Sequence, residues 1–350
     1  IPAALTQRRR RKDPMTRSTL PGRDFLPPPR LTREDGEERR VGVELEFAAI
    51  SARDGARLVR DLFGGDLYEE DPHRFHVKDA ELGDFTVELD TRHAHRDKPT
   101  ETETRKGIDR FLEEMGEELR SLYGDVSSLL VPCEIVCPPV PLTELPRIDA
   151  LVEALRSAGA VGTDDSPLHA FGAQLNPEVA TADPAWLTSM LRSYVLLSDW
   201  LREVTELDAT RRIAAFADPF PKEYVERITE PGYAPSLEGL IDDYLEDNPT
   251  RNRELDMLPL FCWLDEERVR SALPDEKIHA RPTFHYRLPN ADLGREGWNV
   301  SVEWNRWRMV EKMAERPERL EAMGRAWSEN ARRMFPTSWA ILATEWMLLE

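Results

Sequence analysis

The sequence is poor in cysteine and contains no long hydrophobic run. Its 350 residues include three cysteines, Cys133, Cys137 and Cys262. Their spacing differs from the paired motifs of structural metal sites, so we expect small buried thiols, no disulfide and a reducing, cytoplasmic location. No stretch approaches the roughly eighteen apolar residues of a membrane span, and we therefore expect no membrane partner.

Basic charge is also scarce. The formal net charge is −19 and the isoelectric point is about 5.0. Nucleic-acid binding needs a basic surface, so no nucleic-acid partner is expected. Residues 1–40 depart from the rest, because their 11 basic and 6 acidic residues give a net charge of +5. This segment is also proline-rich, which predicts a disordered tail, with the folded domain at residues 41–350.

Several common catalytic motifs are missing from the sequence. There is no Walker-type glycine loop, no glycine-rich dinucleotide turn and no Gly-x-Ser-x-Gly elbow. The common nucleotide-binding and hydrolase folds that use these motifs therefore find no support.

The most informative segment is Val41–Phe47, which alternates strictly between two kinds of side chain. Glu44 and Glu46 share one face of the predicted strand, about 6.6 Å apart, while Val43, Leu45 and Phe47 share the other. Two glutamates on a rigid strand beside small neighbours suit a hard cation such as Mg²⁺.

Hydrophobic periodicity predicts an α+β fold with an antiparallel catalytic sheet and packed helices. Residues 184–275 differ in character and predict a helical elaboration. The pattern predicts helices over 54–63, 108–122, 148–155, 186–204, 237–245, 305–334 and 337–350, and strands over 75–80, 85–90, 129–137, 169–176, 281–288 and 298–304.

The polar side chains of the later strands fall into chemical groups along the chain. Carboxylates come first, amides follow, and arginines come near the end. Such segregation is typical of a divided site with metal ligands on one side and phosphate-binding groups on the other. The solvent-facing side of an ordinary antiparallel sheet is the alternative. The predicted faces carry Glu88 and Asp90; Glu134; Gln174 and Asn176; Arg281, Thr283, His285 and Arg287; and Ser301, Glu303 and Asn305.

Four segments in order carry a resemblance to a known family. They are Gly42–Phe47, Val77–Asp79, Pro132–Pro139 and His169–Asn176. Together they resemble the putative amidoligase family, over about residues 40–310. The family is similar in fold to glutamine synthetase and glutamate–cysteine ligase. The resemblance implies a curved antiparallel sheet whose concave face joins a carboxylate to an amine with ATP and a divalent metal.

The resemblance also implies roles for individual residues. Glu44, Glu46 and Glu134 match the family's metal-binding glutamates, and His169 could add a ligand from the start of its strand. Many members carry His-x-His where this chain has Gln174 and Asn176, and these amides are expected to bind the cofactor, by coordinating Mg²⁺ or by orienting a substrate. Arginines that bind nucleotide or acyl phosphate correspond to Arg281 and Arg287, and His285 stands where a glutamate is commoner.

These expectations lead to a mechanistic hypothesis. Phosphoryl transfer from ATP would activate a carboxylate as an acyl phosphate, with Mg²⁺ or Mn²⁺ and arginines stabilising the charge. Glu88 or Glu303 could accept the proton of the attacking amine. The substrates would be a small or peptide-borne acid and amine, and the oligomeric state stays open. A phosphotransferase on the same sheet and a non-catalytic binding protein are the alternatives.

Overall fold

The computed structural model describes residues 24–89, 132–163, 171–205, 217–274 and 276–348. Within these residues the fold is α+β, with helices packed on an open antiparallel sheet, as the sequence predicts. The predicted helix at 108–122 and residues Asp90 and His169 lie outside the described part of the chain.

The sheet contains nine strands among the described residues. Eight of them lie in the order β2-β3-β4-β5-β1-β7-β9-β8, and β6 pairs with the start of β1. The strands are β1 Arg40–Phe47, β2 Asp66–Asp71, β3 Arg74–Ala80, β4 Gly83–Leu89, β5 Cys133–Val136, β6 Val140–Pro141, β7 Ala173–Pro177, β8 Leu255–Asp256 and β9 His285–Tyr286.

The helices lie between and after the strands. A 3₁₀ helix at Leu142–Arg147 precedes α2. The α-helices are α1 Ala52–Phe63, α2 Ile148–Ser157, α3 Pro184–Val204, α4 Lys222–Thr229, α5 Leu237–Asp247, α6 Leu258–Leu264, α7 Glu266–Ala272, α8 Val300–Ala314, α9 Pro317–Ala331 and α10 Trp339–Leu348. None of the described helices has the length and apolar character needed to cross a bilayer.

One face of the sheet is apolar and is covered by helices. On β1 the side chains of Val41, Val43, Leu45 and Phe47 are fully buried. Helix α1 approaches so closely that a Cβ at Gly55 would lie 2.9 Å from the Phe47 ring. Every second residue of β1 therefore contributes to the core, and the remaining residues are left on the opposite face.

The strand predicted at 298–304 is wrong, because helix α8 begins there. Asn299 caps the helix by accepting a hydrogen bond of 2.8 Å from the backbone N–H of Val302. Val300, Trp304 and Trp307 are all buried. Their spacings of four and three residues fit one face of a helix. The spacing of Val300 and Trp304 also fits the two-residue period of a strand, which explains the wrong prediction. Ser301, Glu303 and Asn305 therefore do not share one face of a strand, as the sequence predicts, but lie on helix α8.

Two other boundaries differ from the prediction. The strand expected over 281–288 is reduced to His285–Tyr286, preceded by an isolated bridge between Thr283 and Glu178. The long helix predicted over 305–334 is divided, since Pro317 occupies the first turn of α9 and cannot continue the backbone hydrogen bonds of α8.

Part of the predicted tail is packed against the domain. Residues 1–23 lie outside the described residues. In residues 24–40, Phe25 stacks on Trp304 with ring centroids 5.9 Å apart, and the carbonyl of Leu26 accepts a hydrogen bond from the Trp304 indole. These contacts hold Phe25 and Leu26 against α8, where aromatic packing and a hydrogen bond offset the entropy of ordering the chain.

Arg39 anchors the start of β1 to α8. Its guanidinium is fully buried and donates two hydrogen bonds, of 2.7 and 2.9 Å, to the Glu311 carboxylate. It also donates to the backbone carbonyls of Glu178 and Arg30, while Trp307 donates to Glu311. Every charge in this group therefore has several partners, which a buried ion pair requires.

We predict that Arg39→Met lowers the free energy of unfolding by about 3–5 kcal/mol, because it leaves the Glu311 carboxylate buried without its cation. Adding Glu311→Leu to that variant should recover part of the loss. Arg53→Met is the matched control, since the Arg53–Glu69 pair is exposed and should contribute less than about 1 kcal/mol. Urea unfolding measures all four proteins, and equal losses in the two single arginine variants would contradict the account.

Candidate functional site

The side of the sheet opposite the apolar core carries the polar residues, and we call it the polar face. Residues directly opposite each other on antiparallel strands point to the same side, so the strand pairing identifies its members. They are Arg74, His76, Thr86, Glu88, Glu134, Gly42, Glu44, Glu46, Gln174, Asn176, His285 and Asp256.

Three glutamates lie side by side across this face, and we call them the carboxylate row. Glu46 on β1 is opposite Glu134 on β5, and Glu134 is in turn opposite Glu88 on β4. Directly opposed side chains have Cβ atoms about 4.5–5.5 Å apart. The row ends at Arg74, which pairs with Glu88 in the strand register and donates a hydrogen bond to its Oε2.

The ends of the row differ in how the carboxylates are held. Glu46 is largely buried, and its Oε2 accepts a hydrogen bond of 2.6 Å from the backbone N–H of Gly172. Glu88 and Glu134 are half-buried. A dense set of carboxylates creates a strong negative potential, and partial exposure leaves it accessible to a cation from solvent.

Glu44 lies two residues before Glu46 and contacts the next strand. Its Oε1 accepts a hydrogen bond of 2.8 Å from Asn176 Nδ2. Asn176 is opposite Gly42 in the pairing, and a Cβ at Gly42 would come within 3.4 Å of the Asn176 side chain. Glycine at this position therefore leaves room for the amide beside Glu44.

The amide side of the polar face is more deeply buried than the carboxylate row. We call Gln174, Asn176, His285 and Asp256 the amide cluster; their exposed fractions are 3%, 5%, 5% and 0%. His285 Nε2 lies 2.7 Å from Gln174 Oε1, and His285 Nδ1 lies 3.5 Å from Asp256 Oδ2. Buried polar groups usually have partners; here Gln174 and His285 pair with each other, while Asn176 Oδ1, His285 Nδ1 and Asp256 Oδ2 make no hydrogen bond to a described residue.

The two predicted phosphate-binding arginines lie near this cluster in the chain but outside β9. Arg287 is buried, and its Nη1 donates a hydrogen bond to the carbonyl of Arg251. Arg251 in turn lies 3.8 Å from Asp256 Oδ2. Arg281 precedes β9 and is half-exposed, and its buried Nε atom makes no hydrogen bond to a described residue.

Glu303 is the predicted site residue that the fold separates from the polar face. It lies on α8, which packs on the helical side of the molecule. One oxygen, Oε1, accepts hydrogen bonds from Trp298 at 2.8 Å and Arg306 at 2.5 Å. Glu303 is therefore held in the helical layer, and the proton-accepting role predicted for it loses its geometric basis.

Two residues that the sequence reasoning missed belong to the site. Arg74 could have been found by counting pairs across the β3–β4 hairpin, which sets it opposite Glu88. Asp256 lies in a two-residue strand, Leu255–Asp256, which is too short to give a periodic signal. Its place beside His285 results from long-range pairing.

The residues present suit a hard cation that arrives with phosphate oxygens. In the described portion of the chain, no three His, Cys, Asp or Glu side chains converge as a preformed metal site. Mg²⁺ in nucleotide sites is usually held by one or two carboxylates together with phosphates and water. The carboxylates of Glu44, Glu46 and Glu134 offer oxygen ligands, and the buried Asn176 Oδ1 lacks a hydrogen-bond partner among the described residues.

Cys137, close to Glu44, offers no reactive thiol. Cys133, Cys137 and Cys262 all have buried side chains. Burial, and secondarily the charge of Glu44, raises the pKa of the Cys137 thiol well above its ordinary value. The thiolate is the nucleophilic form of cysteine, so Cys137 is inert at neutral pH.

Comparison with known families identifies the chain. The profile of the family described as "Putative amidoligase enzyme" matches residues 37–309. The chain belongs to the amidoligase family. This confirms the resemblance seen in the sequence, and the matched range includes the whole polar face of the described strands. No curated protein matches the chain.

Membership of the amidoligase family supports a ligase activity for this protein. The match contains α1 to α7 and all nine strands, and it ends within α8. The carboxylate row and the amide cluster are therefore parts of the amidoligase region itself and not of an added segment.

We predict that Asn176→Asp lowers the unfolding free energy by about 1–3 kcal/mol near neutral pH. The substitution removes the buried N–H donor to Glu44 and places a second carboxylate beside the Glu44 carboxylate. The loss should shrink with saturating Mg²⁺, or at acidic pH where one carboxyl can be protonated. Asn176→Ser, which keeps a hydroxyl donor to Glu44, should lose less. Urea unfolding is the measurement, and an Asp variant as stable as wild type with no response to Mg²⁺ would refute this reading.

Proposed function

We propose that this amidoligase is an ATP- and Mg²⁺-dependent ligase that joins a carboxylate to an amine through an acyl phosphate. The observation that supports this most strongly is the carboxylate row of Glu46, Glu134 and Glu88 on one face of the sheet. An open antiparallel sheet with carboxylates on one face also agrees with a glutamine synthetase-like catalytic fold, which is part of the proposal.

Glu46, Glu134 and Glu44 would hold Mg²⁺ through their carboxylate oxygens. The cation would supply positive charge to the phosphate oxygens of ATP, whose negative charge otherwise repels an incoming carboxylate. Gly172 donates to Glu46, and Asn176 donates to Glu44. These hydrogen bonds fix the orientation of both carboxylates before the substrate binds, which reduces reorganisation during the reaction.

Arg281 and Arg287 would bind phosphate at the β9 end of the polar face, across from the carboxylate row. Arg287 is already held by the Arg251 carbonyl, so it would need little reordering. Arg281 is half-exposed and carries an unpaired Nε in the described structure. A guanidinium suits this task because it presents several donors to phosphate oxygens in a fixed plane.

The attacking amine must lose a proton, and Glu88 is the candidate acceptor. Arg74 engages one of its oxygens, Oε2, and thereby fixes the direction of the carboxylate. The other oxygen, Oε1, stays available to the amine. Holding the amine and the acyl phosphate on one face would raise the rate by positioning and limit hydrolysis.

We predict ADP release that requires Mg²⁺, an acid and an amine, when candidate substrates are screened. Glu46→Gln and Glu134→Gln should each lower the rate by about 100-fold or more, because transition-state charge loses its stabilisation. Glu226→Gln is the control, as this exposed α4 residue lies in a surface pair with Lys222. Unchanged rates in both row variants would exclude the carboxylate row as the site.

The fate of a carboxylate oxygen separates ligase from phosphotransferase. If the acid is labelled with ¹⁸O, its attacking oxygen bonds to the γ-phosphorus and leaves with phosphate when the amine displaces it. We therefore expect one labelled oxygen in inorganic phosphate for each amide formed, measured by mass spectrometry. ADP with a stable acyl phosphate and no amide would indicate a phosphotransferase, and no Mg²⁺-dependent nucleotide binding would indicate a binding protein.

A further inference from the structure

The side-chain amide of Gln174 is held in one orientation. Its Oε1 lies 2.7 Å from His285 Nε2. Because an amide oxygen can only accept, the ring nitrogen must carry the proton and donate it. Gln174 Nε2 makes no hydrogen bond to another residue in the described ranges, so the donor end of this amide is the end left for a ligand.

His285 is itself fixed from its other side. Its Nδ1 lies 3.5 Å from Asp256 Oδ2, and both residues are buried. The Asp256 carboxylate is held in turn, since its Oδ1 accepts a hydrogen bond of 3.0 Å from the backbone N–H of Leu258. The imidazole ring therefore lies between Gln174 and Asp256, with one ring nitrogen facing each residue.

The second amide of the same strand presents the opposite atom. Asn176 donates through Nδ2 to Glu44, which leaves Oδ1 buried without a partner in the described structure. An amide oxygen can coordinate Mg²⁺, whereas an amide N–H donates to an acceptor such as a phosphate oxygen. The two amides of β7 therefore differ in the ligand atoms that they can meet.

We propose that His285, supported by Asp256, is a positioning residue that fixes Gln174 as a hydrogen-bond donor to a phosphate oxygen of the nucleotide. Gln174 is then a phosphate contact and not a metal ligand. This inference rests on the proposed function, because it assumes that a nucleotide binds over the polar face. It also explains why a histidine can occupy this position, since it acts on the neighbouring amide.

The variant Gln174→Glu distinguishes a phosphate-binding role of Gln174 from a metal-binding role, because the two roles predict opposite changes in nucleotide affinity. The variant keeps the shape of Gln174 but replaces its donor by a carboxylate oxygen. If Gln174 donates to phosphate, binding of a non-hydrolysable ATP analogue with Mg²⁺ weakens by about tenfold or more in calorimetry. Binding of Mn²⁺ alone should stay equal or tighten. Nucleotide binding as tight as wild type or tighter would overturn the assignment and make Gln174 a metal ligand.

Variants of His285 test the positioning role. His285→Leu should weaken binding of the same analogue about tenfold, because the amide can then turn, while His285→Gln, which can still donate to Gln174 Oε1, should recover most of the affinity. His279→Leu is the control, as His279 is exposed on the preceding loop. If His285→Leu does not fold, Asp256→Asn replaces it and should weaken binding in the same direction.

The outcomes separate this inference from the function on which it rests. Wild-type nucleotide binding together with an unaffected His285→Leu variant would overturn the positioning role and leave the proposed function standing. A loss in His285→Leu that His285→Gln does not recover would indicate a structural role and would also overturn it. A wild-type protein that binds no nucleotide would overturn both.

Discussion

The antiparallel pairing of β1 with β5 on one side and β7 on the other is the constraint on which the site depends. This register sets Glu46 opposite Glu134 and Glu44 opposite Gln174. A shift by one residue would turn both glutamates of β1 into the core beneath α1, at the large cost of burying unpaired charge. The apolar residues of β1, through their burial, therefore fix the positions of the carboxylates.

The polar face divides into two parts with different solvent contact. Carboxylates on β4 and β5 are half-buried, whereas the amide cluster on β7, β9 and β8 is almost fully buried. Half-exposed carboxylates can exchange water for a cation and phosphate, whereas each buried amide has one end held by a hydrogen bond, Gln174 by His285 and Asn176 by Glu44. The arrangement thus combines an accessible charged part with a rigid part that orients its donors. The Arg39–Glu311 pair supports both parts, since it ties the start of β1 to α8.

Local alternation was sufficient to predict much of this site. The faces of Glu44, Glu46, Glu88, Glu134, Gln174 and Asn176 follow from strand parity, because each lies in a strand with buried neighbours at every second position. Parity failed at residues 298–304, where Asn299 caps a helix and the spacing of Val300 and Trp304 suits both periods. A window of seven residues contains less than two helical turns, so alternation alone cannot distinguish the two structures there.

Contacts between distant segments were beyond the reach of sequence patterns. Asp256 meets His285 through a pairing of two very short strands, and no local periodicity indicates such a contact. The donor and acceptor ends of Gln174 and Asn176 are likewise set by His285 and Glu44, which are remote in sequence. His169 lies outside the described residues, so its predicted role as a metal ligand stays a prediction.

The most direct test of the central claim is anomalous diffraction from a crystal grown with Mn²⁺ and a non-hydrolysable ATP analogue. The account predicts a manganese peak over the carboxylate row, within coordination distance of Glu46 or Glu134, with the analogue's phosphates lying between the metal and Arg287. A nucleotide bound elsewhere, or a manganese site away from the polar face, would contradict it.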